Sequence, residues 1–394
     1  MTSNDPTSAG DFSLVTGGPL YRCFLRARLA RPPLELLRRR MLVLPLLLWL
    51  PLLVLTLIEG RAWSGVRVPF LCDIETWARF LIALPVLLFA EVMVHQRLRR
   101  VIGQFTERGM VTEEVRPQFD AALSSAVRLR DSKMAELIIL VTVLVLAPWL
   151  WHHGMALQGA TWYANVDGET VSLTMAGRFF VFAAAPLFQF ILLRWLFRLF
   201  IWGRFLWQAS RLPLAILPTH PDRAGGLGFL GGSGFAFGPV LFAQGVVLSG
   251  FIASRVLFNG QSALDFRADA AMLIALAVVL VLGPQLFFSR ALAQARRNGM
   301  REYGILAAGY MRAFDHKWLR GGAPADELLI GSADVQSLAD MSGSYDVVRE
   351  MSVLPFGYRA VMQLAGMTAA PLAPLVLTVI PAAELLDRLL KVLL

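Results

Sequence analysis

The sequence predicts an all-α integral membrane protein with six to seven transmembrane helices. The 394 residues have a mean hydropathy of +0.59 and only 16% charged residues, whereas soluble domains carry about 25%. Two or three soluble domains of this total length would have too few charges to cover their surfaces. In addition, the apolar residues occur in runs near the ~20 residues with which a helix crosses a bilayer.

Seven apolar segments are candidate spans, and each contains proline. They cover residues 41–58, 77–95, 135–151, 179–201, 235–258, 271–289 and 360–380. Proline frees backbone carbonyls, which membrane helices tolerate where neighbouring groups or water satisfy them. The seventh segment is the weakest candidate, because Pro371 and Pro374 could turn it into a re-entrant piece.

Basic residues alternate between the two sides of these segments. Four connections carry 27 lysines and arginines, and the three alternate connections carry 3. The basic connections are 1–40, 96–134, 198–234 and 290–358, and the others are 59–76, 152–177 and 259–270. The positive-inside rule therefore predicts a cytoplasmic N-terminus. The same distribution explains the net charge of +9, so no nucleic-acid partner is expected.

This topology predicts four regions along the chain. A cytoplasmic basic segment precedes helices 1–6, and a helical cytoplasmic cap follows them. Residues 21–40 of the basic segment are either an interfacial amphipathic helix or a charged flank. The C-terminal region holds the candidate seventh helix and an amphipathic helix. These regions are 1–40, 41–289 with a helical loop at 96–134 and a Gly-rich loop at 218–234, 290–358, and 359–394.

Local patterns refine three of these connections. The helix of the 96–134 loop is expected to run unbroken into the third span. In the cap, Ser342-Gly343 is expected to divide two short helices. On the outer side, the alternation around Asp167-Gly168 predicts a β-hairpin turning at that pair. Cys23 and Cys72 flank the first span on opposite sides, so neither a disulfide nor a cysteine metal site is expected.

Polar side chains inside the apolar segments are the strongest functional signal, because burying them in lipid is costly. Glu91 and His95 lie one helical turn apart, as do Arg194 and Arg198. At 1.5 Å per residue, Glu91, Arg194 and Gln285 lie roughly 21–23 Å from the outer boundary. We therefore expect Glu91 to pair with Arg194 near Gln285. This layer either lines an ion or solute path, or holds arginines that snorkel to headgroups beside a neutralising Glu91.

The loop 218–234, PTHPDRAGGLGFLGGSG, offers a second candidate site. Its Gly226-x-Gly228-x-x-Gly231 pattern lacks the preceding strand of a dinucleotide fold. His220 and Asp222 are too few for a metal site unless Asp315 and His316 complete it, and no metal is expected.

Two interpretations of this loop remain. It either binds an anion or lipid headgroup through glycine amides and Arg223, or simply makes a tight re-entry into the membrane. The candidate binding residues are His220, Asp222, Arg223, Gly225 and Gly226.

Three motifs resemble signatures of an uncharacterised family of bacterial multi-pass inner-membrane proteins. They are THPDRAGGLGFL at 219–230, ADVQSLAD at 333–340 and LTVIPAAELL at 377–386. The resemblance covers about 178–394 and implies a bacterial inner-membrane location and a multi-span fold. It implies no activity, cofactor or catalytic residue.

Three functions are compatible with these observations. The first is passage of an ion or small solute, as a monomer or a homo-oligomer, along the predicted polar layer. The second is a scaffold that binds membrane lipids or a partner protein through the cap and the loop. The third is an enzyme acting on lipid phosphates, centred on His220, Asp222 and Arg223. The sequence contains no P-loop, zincin, nucleophile-elbow or potassium-filter motif, and no cofactor is expected.

Overall fold

The computed structural model describes residues 12–31, 34–150, 161–167, 170–324, 327–329 and 331–378. This part of the chain is mainly helical, and we name its helices α1 to α10. They are Gly18–Arg26, Leu37–Ile58, Ile74–Glu107, Arg116–Arg130, Lys133–Leu150, Met175–Ala209, Phe229–Asn259, Ala263–Leu319, Ala333–Arg349 and Tyr358–Ala369. A 3-10 turn, Phe70–Cys72, precedes α3, and α10 continues as the 3-10 helix Ala370–Thr378.

Five of the described helices are long and apolar enough to cross a membrane: α2, α3, α6, α7 and α8. They coincide with the first, second, fourth, fifth and sixth apolar segments, so the helical membrane-type fold agrees with the sequence prediction. The third segment forms α5, with 18 residues, and the seventh begins with α10, with 12 residues. The predicted amphipathic C-terminal helix lies outside the described residues.

The helix of the 96–134 loop does not run into the third span as predicted. Helix α4 ends at Arg130, and α5 begins at Lys133. Ser132 caps the new helix, because its hydroxyl accepts a hydrogen bond from Ala135 N at 3.3 Å. An Asp-Ser pair ahead of an apolar run is a helix-start signal, so the sequence did contain evidence for this break.

The predicted cap region is a continuation of the sixth span. Helix α8 extends over 57 residues, with a 3-10 section Gly283–Phe288. Helix α9 packs along its far half and is unbroken at Gly343, contrary to the prediction of two short helices. A glycine in an exposed helix interior costs only about 1 kcal/mol relative to alanine, which the packing of α9 on α8 outweighs.

The predicted hairpin is present as strands β1, Ala164–Asp167, and β2, Thr170–Leu173. Asp167 pairs with Thr170 in the antiparallel register. The connecting loop is therefore 168–169, one position later than the predicted Asp167-Gly168 turn. These two loop residues lie outside the described part of the chain.

The end of the basic N-terminal segment is packed into the helix bundle. Phe12, Leu14 and Val15 are buried, and the Phe12 ring centroid lies 6.1 Å from that of Phe205 in α6. Helix α1 follows and buries Tyr21 and Phe24 on one side. This segment is thus more than a charged flank, because its apolar side chains contribute to the core of the bundle.

Candidate functional site: a buried arginine cluster

The centre of the candidate site is the carboxylate of Glu91 in α3. Its Oε2 accepts a hydrogen bond from Arg40 Nη1 of α2 at 2.8 Å, and its Oε1 accepts one from Arg198 Nη2 of α6 at 2.9 Å. All three side chains are buried, with Arg40 completely inaccessible. One carboxylate therefore joins three long helices, and its bidentate position explains why both guanidinium groups are directed inward.

A second ion pair adjoins the first. Arg194 Nε lies 3.2 Å from Glu136 Oε1 of α5, and Arg194 Nη2 donates to the backbone oxygen of Gly17 at 3.0 Å. We name Arg40, Glu91, Glu136, Arg194 and Arg198 the buried arginine cluster.

The predicted Glu91–Arg194 pair is therefore wrong. Counting residues along a helix gives depth in the membrane but not the direction of a side chain. Here Arg198 faces Glu91 in α3, whereas Arg194 faces Glu136 in α5.

Gln285 was predicted to lie near this pair, but it belongs to another contact. It lies in the 3-10 section of α8, and its Nε2 donates to Ser233 Oγ of α7 at 3.3 Å. The change from α to 3-10 geometry at Gly283 and Pro284 alters the direction of the following side chains. Gln285 is fully buried, as its position in a span suggests, but it is a packing contact between α7 and α8.

His95, one turn beyond Glu91, connects the cluster to the N-terminal segment. Its Nδ1 lies 2.8 Å from Ser13 Oγ. The same segment is held by Arg130 Nη1, which donates to Ser13 O at 2.5 Å, and by Glu136 Oε2, which accepts from Leu20 N at 2.9 Å. Residues 13–20 therefore cover the cluster on one side, with hydrogen bonds to two of its members, Glu136 and Arg194.

The cluster contains more positive than negative charge. Its three guanidinium groups face two carboxylates, and all five residues are at most 7% exposed. Arg40 Nε, Arg40 Nη2 and Arg198 Nε have no hydrogen-bond acceptor among the described residues. Buried donors without partners are costly, so these nitrogens are suited to bind a small anion or water molecules.

Sequence reasoning missed two members of this cluster, Arg40 and Glu136. Arg40 stands last in the triplet Arg38-Arg39-Arg40 before the first span, which is a typical position for a headgroup contact. Only Arg40 is buried, whereas its two neighbours are exposed. Glu136 stands at the start of the third apolar segment, where an acidic residue could equally have faced solvent.

A second polar cluster lies at the N-terminal end of α3, whereas Glu91 lies near the middle of this helix. Glu75 of this second cluster is roughly 24 Å from Glu91 at 1.5 Å per residue. Buried Asp73 accepts hydrogen bonds from Trp162 Nε1 at 2.9 Å and from Thr76 Oγ1 at 2.6 Å. Beside it, Glu75 forms an ion pair with Arg79, which is also buried. We name Asp73, Glu75, Arg79 and Trp162 the Asp73 cluster.

Apolar side chains pack between the two polar clusters. The guanidinium of Arg79 lies over the rings of Phe180 and Phe188, 5.7 and 5.9 Å from their centroids. Phe80 contacts the same two rings, with centroid distances of 6.3 and 6.2 Å. These contacts occur where α3 and α6 each contain a π-helical turn, Ala78–Ala83 and Phe180–Ala184, a feature that is frequent at functional sites.

Three backbone amides of the 218–234 loop, two of them from glycines, donate hydrogen bonds to a carboxylate of the loop itself. Asp222 accepts hydrogen bonds from Ala224 N, Gly226 N and Gly228 N at 2.9, 3.0 and 2.9 Å. Partial burial of the Asp222 carboxyl opposes ionisation, but these three donors outweigh it and lower its pKa from the ordinary value. The amide of Gly226, one of the predicted anion donors, is therefore already occupied by Asp222.

The remaining residues of this predicted site have structural contacts. His220 Nδ1 lies 2.9 Å from Asp222 Oδ1, and Arg223 pairs with Glu350 at the surface at 2.8 Å. Gly225 and Gly226 have φ angles of +63° and +93°, which only glycine adopts readily. Arg108, not singled out in the sequence, donates to Gly226 O at 3.2 Å. The loop is thus a compact turn held together by its own side chains.

Asp315 and His316 do not complete a metal site with this loop. Over the described ranges, no group of three or more His, Cys, Asp or Glu residues is placed to hold a metal ion. Searches against protein families, curated proteins and solved structures find no match for this chain.

Proposed function

We propose that the protein passes a small anion across a membrane, with the buried arginine cluster as the binding site. The excess of one guanidinium over the carboxylates carries this proposal, together with the unpartnered nitrogens of Arg40 and Arg198 in the described structure. An uncompensated charge is expensive inside a membrane protein and is retained where it has a function. An anion bound beside Glu91 would balance the excess positive charge and accept hydrogen bonds from the unpartnered nitrogens of Arg40 and Arg198.

The surroundings of the cluster support a controlled path rather than an open pore. Residues 13–20 cover one side, and apolar side chains including Phe80 and Phe188 separate the cluster from Arg79. An anion entering from the other end would meet the Asp73 cluster first. A cytoplasmic N-terminus, six or seven spans and a bacterial inner-membrane location are parts of this proposal, and the alternating basic connections support that orientation.

Flux measurements with Arg40→Gln test the proposed binding site. Wild-type protein in liposomes is expected to exchange a small anion such as chloride or nitrate faster than protein-free liposomes do. It is expected not to pass potassium. Arg40→Gln removes the excess charge but keeps the Glu91–Arg198 and Glu136–Arg194 pairs. We expect the variant to fold and its anion flux to fall at least about tenfold. The reason is that removal of a buried charge weakens the binding free energy of its counter-ion by several kcal/mol.

Arg39→Gln is the matched control, because Arg39 is adjacent, equally basic and exposed. It is expected to retain wild-type flux and the wild-type elution volume in size-exclusion chromatography. Equal flux from Arg40→Gln and Arg39→Gln would refute the role of the cluster. If wild-type liposomes passed neither anions nor cations faster than empty ones, the proposal of passage itself would be wrong.

The alternative functions have less support from specific contacts. The enzyme hypothesis requires reactive groups in the loop, yet Asp222 is saturated by backbone donors and Arg223 is paired with Glu350. The scaffold hypothesis has one favourable observation. Helix α8 and helix α9 form an extended helical pair beyond the membrane-length part of α8, which offers a surface to a partner protein.

A further inference from the structure

A cavity opens between α1, α5 and α6, on the side of the bundle where the N-terminal segment packs. Its volume is about 540 Å³. The wall contributed by α1 contains Arg22, Cys23 and Arg26, and α5 contributes Lys133. No part of the proposed anion path uses these residues, and the inference below does not rest on that path.

Three basic side chains converge on this cavity without compensating partners. Arg22, Arg26 and Lys133 are exposed, and none has an ion-pair or hydrogen-bond partner within the described part of the chain. The one acidic residue of the lining, Glu136, is already paired with Arg194. The cavity mouth therefore carries a local positive charge that can be balanced only by a group from outside the described structure.

The second part of the cavity wall is apolar and continues onto the surface of α5. Leu137, Leu140 and Phe190 form this part. Two of these residues belong to a row of exposed apolar side chains along α5. The row consists of Leu137, Ile138, Leu140, Val141, Leu144 and Val145. A ligand that fits both walls must combine a negatively charged group with a hydrocarbon chain.

We propose that this cavity binds an anionic phospholipid. The headgroup phosphate lies among Arg22, Arg26 and Lys133, and an acyl chain runs along Leu137 and Leu140 on the face of α5. Basic pockets beside membrane helices are suited to anionic headgroups, and each nearby lysine or arginine contributes about a factor of five in affinity. The lipid would also steady α1, and with it the N-terminal segment that covers the buried arginine cluster.

The two native cysteines allow a direct test in lipid nanodiscs. Cys23 lines the cavity, whereas Cys72 is exposed beside the Asp73 cluster and serves as an internal reference. We expect maleimide to label Cys23 roughly fivefold more slowly in discs containing phosphatidylglycerol than in discs of phosphatidylcholine alone. Labelling of Cys72 should be the same in both. Adding inorganic phosphate to phosphatidylcholine discs should not protect Cys23, because phosphate lacks the acyl chain.

A charge-matched pair of variants separates binding from general surface electrostatics. The triple variant Arg22→Gln, Arg26→Gln, Lys133→Gln is expected to abolish the protection of Cys23. The triple variant Arg38→Gln, Arg39→Gln, Arg100→Gln loses the same charge at exposed positions outside the cavity lining and should retain it. Equal loss in both variants, equal slowing at Cys72, or full protection by phosphate alone would each overturn the proposal.

Discussion

At the scale of single residues, the position of one carboxylate determines the arrangement of the buried charges. Glu91 accepts hydrogen bonds from two arginines on different helices. A guanidinium in an apolar bundle needs such a partner, because the desolvation of an unpaired charge is costly. Arg38 and Arg39 can place their charges in water, so they need none. The partner, and not the residue type, decides which arginine of the triplet is buried.

Glu91→Gln should therefore destabilise the protein strongly. The change leaves three buried guanidinium groups with one carboxylate, and removal of one partner from a buried pair costs about 3–5 kcal/mol. The measurement is the free energy of unfolding from titration with a denaturing detergent. Glu107→Gln, at an exposed site on the same helix, should change this free energy by less than about 0.5 kcal/mol. A similar small change for both variants would show that Glu91 is not essential to the cluster.

At the scale of elements, the N-terminal segment shows how a chain end becomes part of a helix bundle. Its apolar residues Phe12, Leu14 and Val15 fill space beside α6, and its backbone supplies polar groups to the cluster. Gly18 is central to this approach, since its φ angle is +84° and a Cβ there would lie 2.7 Å from Glu136 Oε1. The segment fits only because glycine allows both the conformation and the close contact.

Gly18→Ala is expected to loosen this segment. The new methyl group meets both the left-handed backbone strain and the Glu136 carboxylate, so residues 12–20 should exchange their amide hydrogens about tenfold faster. Hydrogen exchange read by mass spectrometry measures this rate. Gly109→Ala is a matched control, because Gly109 has a φ angle of +66° but no atom within 4 Å of an added Cβ. Unchanged exchange in Gly18→Ala would contradict the close packing.

The glycine-rich loop shows a related principle in a connection between helices. Asp222 supplies the negative charge around which the backbone of 224–228 folds. A Cβ at Gly228 would lie 2.9 Å from Asp222 Oδ2, so this position requires glycine for space. A glycine pattern that resembles a phosphate cradle is here satisfied internally.

At the scale of the whole molecule, one polar cluster lies near the middle of α3 and another at its N-terminal end, with apolar packing between them. Arg40, Glu91 and Arg198 belong to the first cluster, and Asp73 and Arg79 belong to the second. The basic connections of the sequence also lie on the side of the first cluster. This asymmetry predicts a single orientation in the membrane, because basic residues are retained on the cytoplasmic side.

Labelling of the native cysteines can establish this orientation. Cys23 and Cys72 are both exposed, and they flank the candidate span α2. In intact bacterial spheroplasts, a membrane-impermeant maleimide should label Cys72 and leave Cys23 unmodified until the membrane is permeabilised. Cys72→Ser should remove the signal from intact cells. Labelling of Cys23 in intact cells would reverse the predicted orientation.

Hydropathy and charge in the sequence were sufficient to determine the helical membrane-type fold and five candidate spans. These properties act through composition over about 20 residues, so they do not depend on which helices become neighbours. The hairpin was also predictable, although its turn was placed one residue too early. The positions of Glu91, Arg194 and Arg198 inside apolar segments left two alternatives open, a polar layer between helices or arginines that snorkel to headgroups, and the structure buries all three side chains.

Only the tertiary structure decided which of these charges pair. Arg40, Glu136 and Gly17 are far apart in sequence from Glu91 and Arg194, and a local pattern carries no information on such contacts. The separate position of Gln285 has the same cause, since its partner Ser233 lies on another helix. The filled cradle of Asp222 differs, because its hydrogen bonds join residues that are close in sequence. The apolar character of a span is a property of its segment, whereas pairing depends on the rotation and proximity of helices, which are set by packing across the whole bundle.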